Sequence, residues 1–228
     1  MRRRAESPAA PPVYSRAERI ADGAVHALGV LLALVSVPVL ITLTAVFDGA
    51  APTVAAVSIY GVAMVGMFAA SAAYHLMPLE AWREPLRRVD HAMIYIKIAA
   101  TQTPFAVMVG GARGLFVLGL IWLAALAGAA AKALRPSRLV GPMSTALYLA
   151  LGWGGLALVL PGPDAIPLAP ATVALIAAGG ALYTAGVAFL LMRTLPFHNA
   201  IWHGFVLAAT FVFYAAVLTE IVLRGMGD

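Results

Sequence analysis

No cysteine occurs among the 228 residues. That excludes a disulfide framework and takes thiolate out of the available metal chemistry, so any metal site must be built from nitrogen and oxygen. Charge is scarce too: 11% of residues are charged and 62% hydrophobic, with a mean hydropathy of +0.92. Such a chain has lipid as its main solvent. Acidic residues are the rarer sign, 10 against 15 basic. No interleaving of basic and aromatic residues accompanies the basic excess, so nucleic acid is not an expected partner and membrane lipids are.

What is present is a series of long apolar runs. Charge-free stretches cover 23 to 47, 49 to 79, 114 to 131, 139 to 163, 165 to 192 and 194 to 219, and 91 to 112 is interrupted only by Lys97. A bilayer core takes about 20 apolar helical residues per span, and helices satisfy their own backbone where lipid offers no hydrogen bonds. The expected fold is therefore all-α, an integral membrane bundle of seven transmembrane helices over residues 17-228. The spans fall near 24-46, 52-76, 90-110, 114-132, 141-160, 168-192 and 197-221. Residues 1-16, with Pro8, Pro11 and Pro12 among alanines and arginines, read as a disordered basic lead. The apolar run behind it is too long for a signal peptide and lacks a small-residue cleavage site. Connections are short, the longest running from Pro78 to Val89, and another turns at Pro161-Gly162-Pro163-Asp164.

Twelve of the 15 basic residues fall on one side of this arrangement: Arg2, Arg3, Arg4, Arg16, Arg19, Arg83, Arg87, Arg88, Lys132, Arg135, Arg138 and Arg193. Arg113 and Arg224 fall on the other, and Lys97 inside span three. The positive-inside rule makes the amino terminus cytoplasmic and the carboxyl terminus external.

All five histidines, His26, His75, His91, His198 and His203, lie at the basic ends of the spans. Imidazole is the commonest side-chain metal ligand, so this face is where chemistry is expected. Ser71 and His75 sit four apart on one helical face. Asp90 opens span three, either as a cap on its amino end or as a carboxylate beside a metal, and Lys97 shares its face and can pair with it. His91 points about 100° away from Asp90 and is the weakest ligand candidate. In span seven, Pro196 suits a first helical turn, and Trp202 reads as an interfacial aromatic. Asn199 and His203 share a face, whereas His198 and His203 are about 140° apart, so a regular helix cannot aim both at one ion. Glu18, Asp22 and His26 form a polar stripe at i, i+4 and i+8 that leads into span one. Such carboxylates can fix an imidazole tautomer.

Together, Ser71-x-x-x-His75, Asp90-His91-x-x-Ile94-Tyr95 leading to Thr101-x-Thr103-Pro104-Phe105, and Ala200-Ile201-Trp202-His203 resemble the bacterial hemolysin III family. That family belongs with the progestin and adipoQ receptors and the alkaline ceramidases in a seven-span superfamily. The resemblance runs from Glu18 to the end of span seven. It implies a protein of the bacterial inner membrane with a zinc site near its cytoplasmic face, His75 and His203 as ligands, Asp90 as the carboxylate holding the metal's water, and Ser71 as its neighbour. Three positions depart from the family pattern: Asp22 replaces a common asparagine, Gln102 an aromatic, and Asn199 the first of two histidines in span seven, with His198 one residue early. An amide oxygen is a poor zinc donor beside imidazole. Three completions stay open: His198 bends in, His26 or Asp90 completes the shell, or metal binds weakly.

The first expectation for function is a zinc-dependent hydrolase of lipid-like amides or esters. A pore-forming, cytolytic protein is the alternative the family name suggests, although polarity concentrates at the cytoplasmic ends while Leu156 to Leu160 and Ala208 to Val217 are nearly all apolar. A ligand-sensing receptor is a third class. Small-residue spacings such as Gly61 to Ala69 are too loose to define a dimer face.

Overall fold

The computed structural model describes residues 14–134, 142–159 and 166–227. Most of the basic lead, Arg135, Arg138 and the Pro161 to Asp164 turn lie outside the described residues. Within them every element is a helix: α1 Arg16–Phe47, α2 Ala51–Leu76, α3 Glu80–Val109, α4 Gly111–Leu134, α5 Pro142–Gly154, α6 Leu156–Val159, α7 Pro170–Leu191 and α8 His198–Gly225. Six of these, α1 to α4, α7 and α8, are long and apolar enough to cross a membrane.

Local chemistry explains why such a sequence is helical throughout. Side-chain hydroxyls inside the spans bond back to the carbonyl four residues earlier: Thr44 to Leu40, Ser58 to Val54, Thr101 to Lys97, Thr103 to Ala99 and Thr184 to Gly180. This hides a polar group that lipid cannot satisfy. At the start of α1, Ser15 accepts from the Glu18 N–H while Glu18 accepts from the Ser15 N–H, a complete capping box.

Helix α3 is the axis of the bundle, packed against α2, α4, α5, α6 and α8. Its polar stretch Thr101, Gln102 and Thr103 is buried against protein rather than lipid. The main core lies among α1, α2, α3 and α8, around Leu40, Tyr60, Met64, Met108, Val217 and Ile221. Helices α1 and α2 close tightly at Gly29, where a Cβ would stand 2.7 Å from the Phe68 ring. The short pair α5 and α6 occupies the expected fifth span and runs alongside α3 in the same direction. Tyr148 donates to the His91 carbonyl (3.1 Å), Gln102 donates to the Leu151 carbonyl (3.1 Å), and Leu158 packs with Ala106.

At the end remote from the histidines, buried Glu220 pairs with Arg224 at 2.8 Å and accepts from the Ala169 N–H at 3.0 Å. Arg224 also donates to the Met108 carbonyl at 2.7 Å, so one ion pair ties α8 to the end of α3 and the start of α7.

Three local expectations are corrected. The Pro78 to Val89 connection is not a loop, because α3 already begins at Glu80. Salt bridges from Glu80 to Arg83 and from Glu84 to Arg87 and Arg88 support those extra turns. Asp90 therefore lies well inside α3 and caps nothing, the N-cap being Leu79. Pro196 precedes α8 rather than opening it; Phe197, with φ 59 in the left-handed region, is the N-cap.

Candidate metal centre

Four side chains from three helices converge at the basic end of the bundle. Asp22 and His26 come from the first turns of α1, His75 from the last turn of α2, and His203 from the second turn of α8. One ligand atom from each lies within 4.8 Å of all the others. The rings form a triangle, with centroids 4.8 Å apart for the stacked His26 and His75, 4.4 Å for the tilted His26 and His203, and 4.5 Å for the edge-on His75 and His203. Asp22 sits on one side of it: Oδ1 is 2.6 Å from His203 Nδ1, and Oδ2 is 3.1 Å from His75 Nδ1 and 3.7 Å from His26 Nε2.

A donor set of three imidazoles and a carboxylate, with no sulfur, suits zinc. His26 is 3% exposed, and its Nε2 is buried without a hydrogen-bond partner, which costs free energy unless a partner meets it; His198 Nδ1 is unpartnered in the same way. Asp22, His26, His75 and His203 are thus a group that can hold a metal ion.

Asp90 stands beside this group. It is 7% exposed and lies within electrostatic reach of Ser71, His75 and His26. Lys97 does not pair with Asp90: its Nζ donates to Thr101 Oγ1 at 2.7 Å and lies 4.5 Å from the centre of the Tyr60 ring.

The other expected residues go elsewhere. His198 turns to Tyr14, whose hydroxyl is 3.4 Å from His198 Nε2, and Asn199 lies within electrostatic reach of the same phenol. Burial raises the Tyr14 pKa and keeps the phenol a neutral donor. Glu18 lies outside the cluster and accepts from the Phe197 N–H at 3.0 Å, fastening the start of α1 to the start of α8. His91 stays apart, its ring centroid 6.4 Å from that of Tyr74. Trp202 packs between α7 and α8 beside Gly186. Sequence reasoning did not single out Tyr14, which has no spacing signal; only folding brings it to residues 198 and 199.

Fold and site together define a multi-pass helical membrane protein with a histidine and aspartate group at one end of its bundle. The family described as Haemolysin-III related matches over residues 15–214, which contain every member of that group. The chain is 33% identical to the hemolysin-3 homolog of Bacillus subtilis (strain 168) over 207 residues, covering 90% of this chain and 95% of that protein. It is 35% identical to hemolysin-3 of Bacillus cereus over 204 residues, covering 88% and 90%. The chain belongs to the hemolysin III family.

Proposed function

We propose that this protein is a zinc-dependent hydrolase of lipid-like amides or esters, embedded in the bacterial inner membrane with its site at the cytoplasmic ends of seven helices. The observation that carries the reading is the orphaned Nε2 of His26 within a triangle of imidazoles, with the Asp90 and Ser71 pair beside it. His26, His75 and His203 hold the metal, and His26 takes the place that Asn199 leaves vacant. Bound zinc supplies Lewis acidity, polarising a carbonyl and lowering the pKa of water.

The chain's own residues supply the rest. Asp90 accepts a proton at a carboxylate oxygen, and the Ser71 hydroxyl orients that carboxylate. An apolar groove of about 440 Å³, lined by Ile59, Val62, Gly66, Met93, Ile96 and Trp122 among others, runs between α2, α3 and α4. Met93 lies one turn beyond Asp90 on α3, so an acyl chain in this groove brings its carbonyl end toward the site. The pore reading suggested by the relatives' name has no comparable support: the core around Met64, Met108, Val217 and Ile221 is apolar.

The test is metal analysis of purified protein followed by turnover of ceramide-like amides. One zinc per chain is expected, with hydrolysis abolished in a His75→Ala, His203→Ala variant. Absence of stoichiometric metal, together with equal turnover by wild type and variant, overturns the reading.

A further inference from the structure

Asp22 meets two imidazoles from two different helices, each through its Nδ1. Oδ1 is 2.6 Å from His203 Nδ1 on α8, and Oδ2 is 3.1 Å from His75 Nδ1 on α2. The first is a hydrogen bond and the second an ion-pair contact; an ionised carboxylate offers lone pairs alone, which repel a bare Nδ1 lone pair at these distances, so both Nδ1 atoms carry the proton. Both Nε2 lone pairs are then left free. His26 differs from these two: its Nε2 is 3.7 Å from Asp22 Oδ2, and that nitrogen is the buried one without a hydrogen-bond partner.

We infer that Asp22 is the positioning residue of this centre: a single carboxylate that fixes the Nδ1–H tautomer of His75 and His203 together and stays outside the coordination shell itself. The inference rests on the metal reading above. Both oxygens of Asp22 already face an imidazole Nδ1. As an orienter it keeps both contacts and presents two imidazoles in the ligating tautomer. Its own placement is fixed from below. The Ser15 and Glu18 capping box and the bond from the Phe197 N–H to Glu18 lock α1 against α8 one turn before Asp22.

The charge at position 22 matters, beyond its shape. An asparagine there treats the two rings oppositely. Its carbonyl can accept from one Nδ1–H, but its amide N–H needs an Nδ1 lone pair on the other ring. That ring must then carry its proton on Nε2, which closes it as a ligand.

Two measurements on the full-length protein separate this inference from the metal reading. The first uses metal-free wild type in detergent, with imidazole ¹⁵N spectra assigned by single His→Gln variants. His75 and His203 are expected as Nδ1–H tautomers, and an Nε2–H tautomer at either overturns the inference without any change at Asp22. The second is zinc titration against a chromophoric chelator. Asp22→Asn is expected to lower zinc affinity about 10- to 100-fold, as loss of an outer partner does elsewhere, and to switch one of the two rings to Nε2–H. Asp22→Glu, which keeps the carboxylate, should restore the Nδ1–H tautomer at one ring or both.

Equal affinity in wild type and Asp22→Asn overturns the positioning role and leaves the metal reading standing. A fall in affinity with both tautomers unchanged makes Asp22 a ligand and also overturns it. Wild type without zinc removes the metal reading and this inference together. Should Asp22→Asn fail to fold, the wild-type spectra and Asp22→Glu still decide the question.

Discussion

Asn199 stands one helical turn before His203, and its amide oxygen is a weak zinc donor beside imidazole. His198, His26 and Asp90 were candidates to replace it, and the structure separates the two histidines. His198 is buried against Tyr14, whereas the His26 ring lies 4.4 Å from that of His203. His26→Ala is therefore expected to lower zinc affinity by more than the roughly 10- to 100-fold cost of losing an outer partner. His198→Ala leaves affinity unchanged. Chelator competition on the two purified variants decides between them, and the reverse order of effects would return the third ligand to α8. Asn199→His should bring a further imidazole to the group and make the His26→Ala loss smaller when the two changes are combined. The vacancy itself was legible only through the family resemblance, which implies a histidine four residues before His203. Its replacement was not legible: His26 precedes His203 by most of the chain, and no periodicity links residues on α1 and α8. The position of Asp22 at the hub of the cluster was hidden for the same reason.

The extent of α3 shows how element boundaries can mislead. A hydropathy reading starts the span at Asp90, because Glu80, Arg83, Glu84, Arg87 and Arg88 are charged. Those same charges recur at i+3 and i+4 and hold a helix together in water, so α3 starts ten residues earlier. The apolar runs gave the existence of the long helices; where they meet depends on side-chain volumes that hydropathy does not record. At Gly29 a Cβ would meet the Phe68 ring at 2.7 Å, one turn beyond His26 on α1 and two turns before His75 on α2. Gly29→Ala should therefore separate α1 from α2, costing about 1–3 kcal/mol by overpacking, and weaken zinc retention without touching a ligand. Phe68→Leu in the same chain should restore both, as measured by thermal unfolding in detergent and by metal content. At the opposite end, Glu220→Ala strands Arg224 and releases the Ala169 N–H. Its expected cost is about 3 kcal/mol of stability, with any zinc affinity unaltered because the clamp and the histidine and aspartate group lie at opposite ends of the bundle.

The seven-span expectation turns on parity. Lys132, in the last turn of α4, lies within electrostatic reach of Arg87 and His91, at the end that carries the histidines. The approach to α7 lies at the other end, where the Ile166 N–H donates to the Val109 carbonyl at 2.9 Å and the Ala169 N–H to Glu220. The chain between them must travel the length of the bundle, and α5 with α6 follows α3 in that direction. From 142 to 159, the pair with its break at Gly155 gives about 27 Å of helical rise, close to the roughly 30 Å thickness of a hydrocarbon core. Seven crossings would put Arg83 and Gly227 on opposite sides of the membrane, and the positive-inside rule would then assign Arg83 to the cytoplasm. The absence of cysteine makes this directly measurable, since any thiol label reports the introduced position alone. In spheroplasts, Gly227→Cys is expected to react with a membrane-impermeant maleimide, and Arg83→Cys only after permeabilisation. Labelling of both before permeabilisation, or of neither, would mean an even count, with α5 and α6 folded back into the bundle rather than crossing.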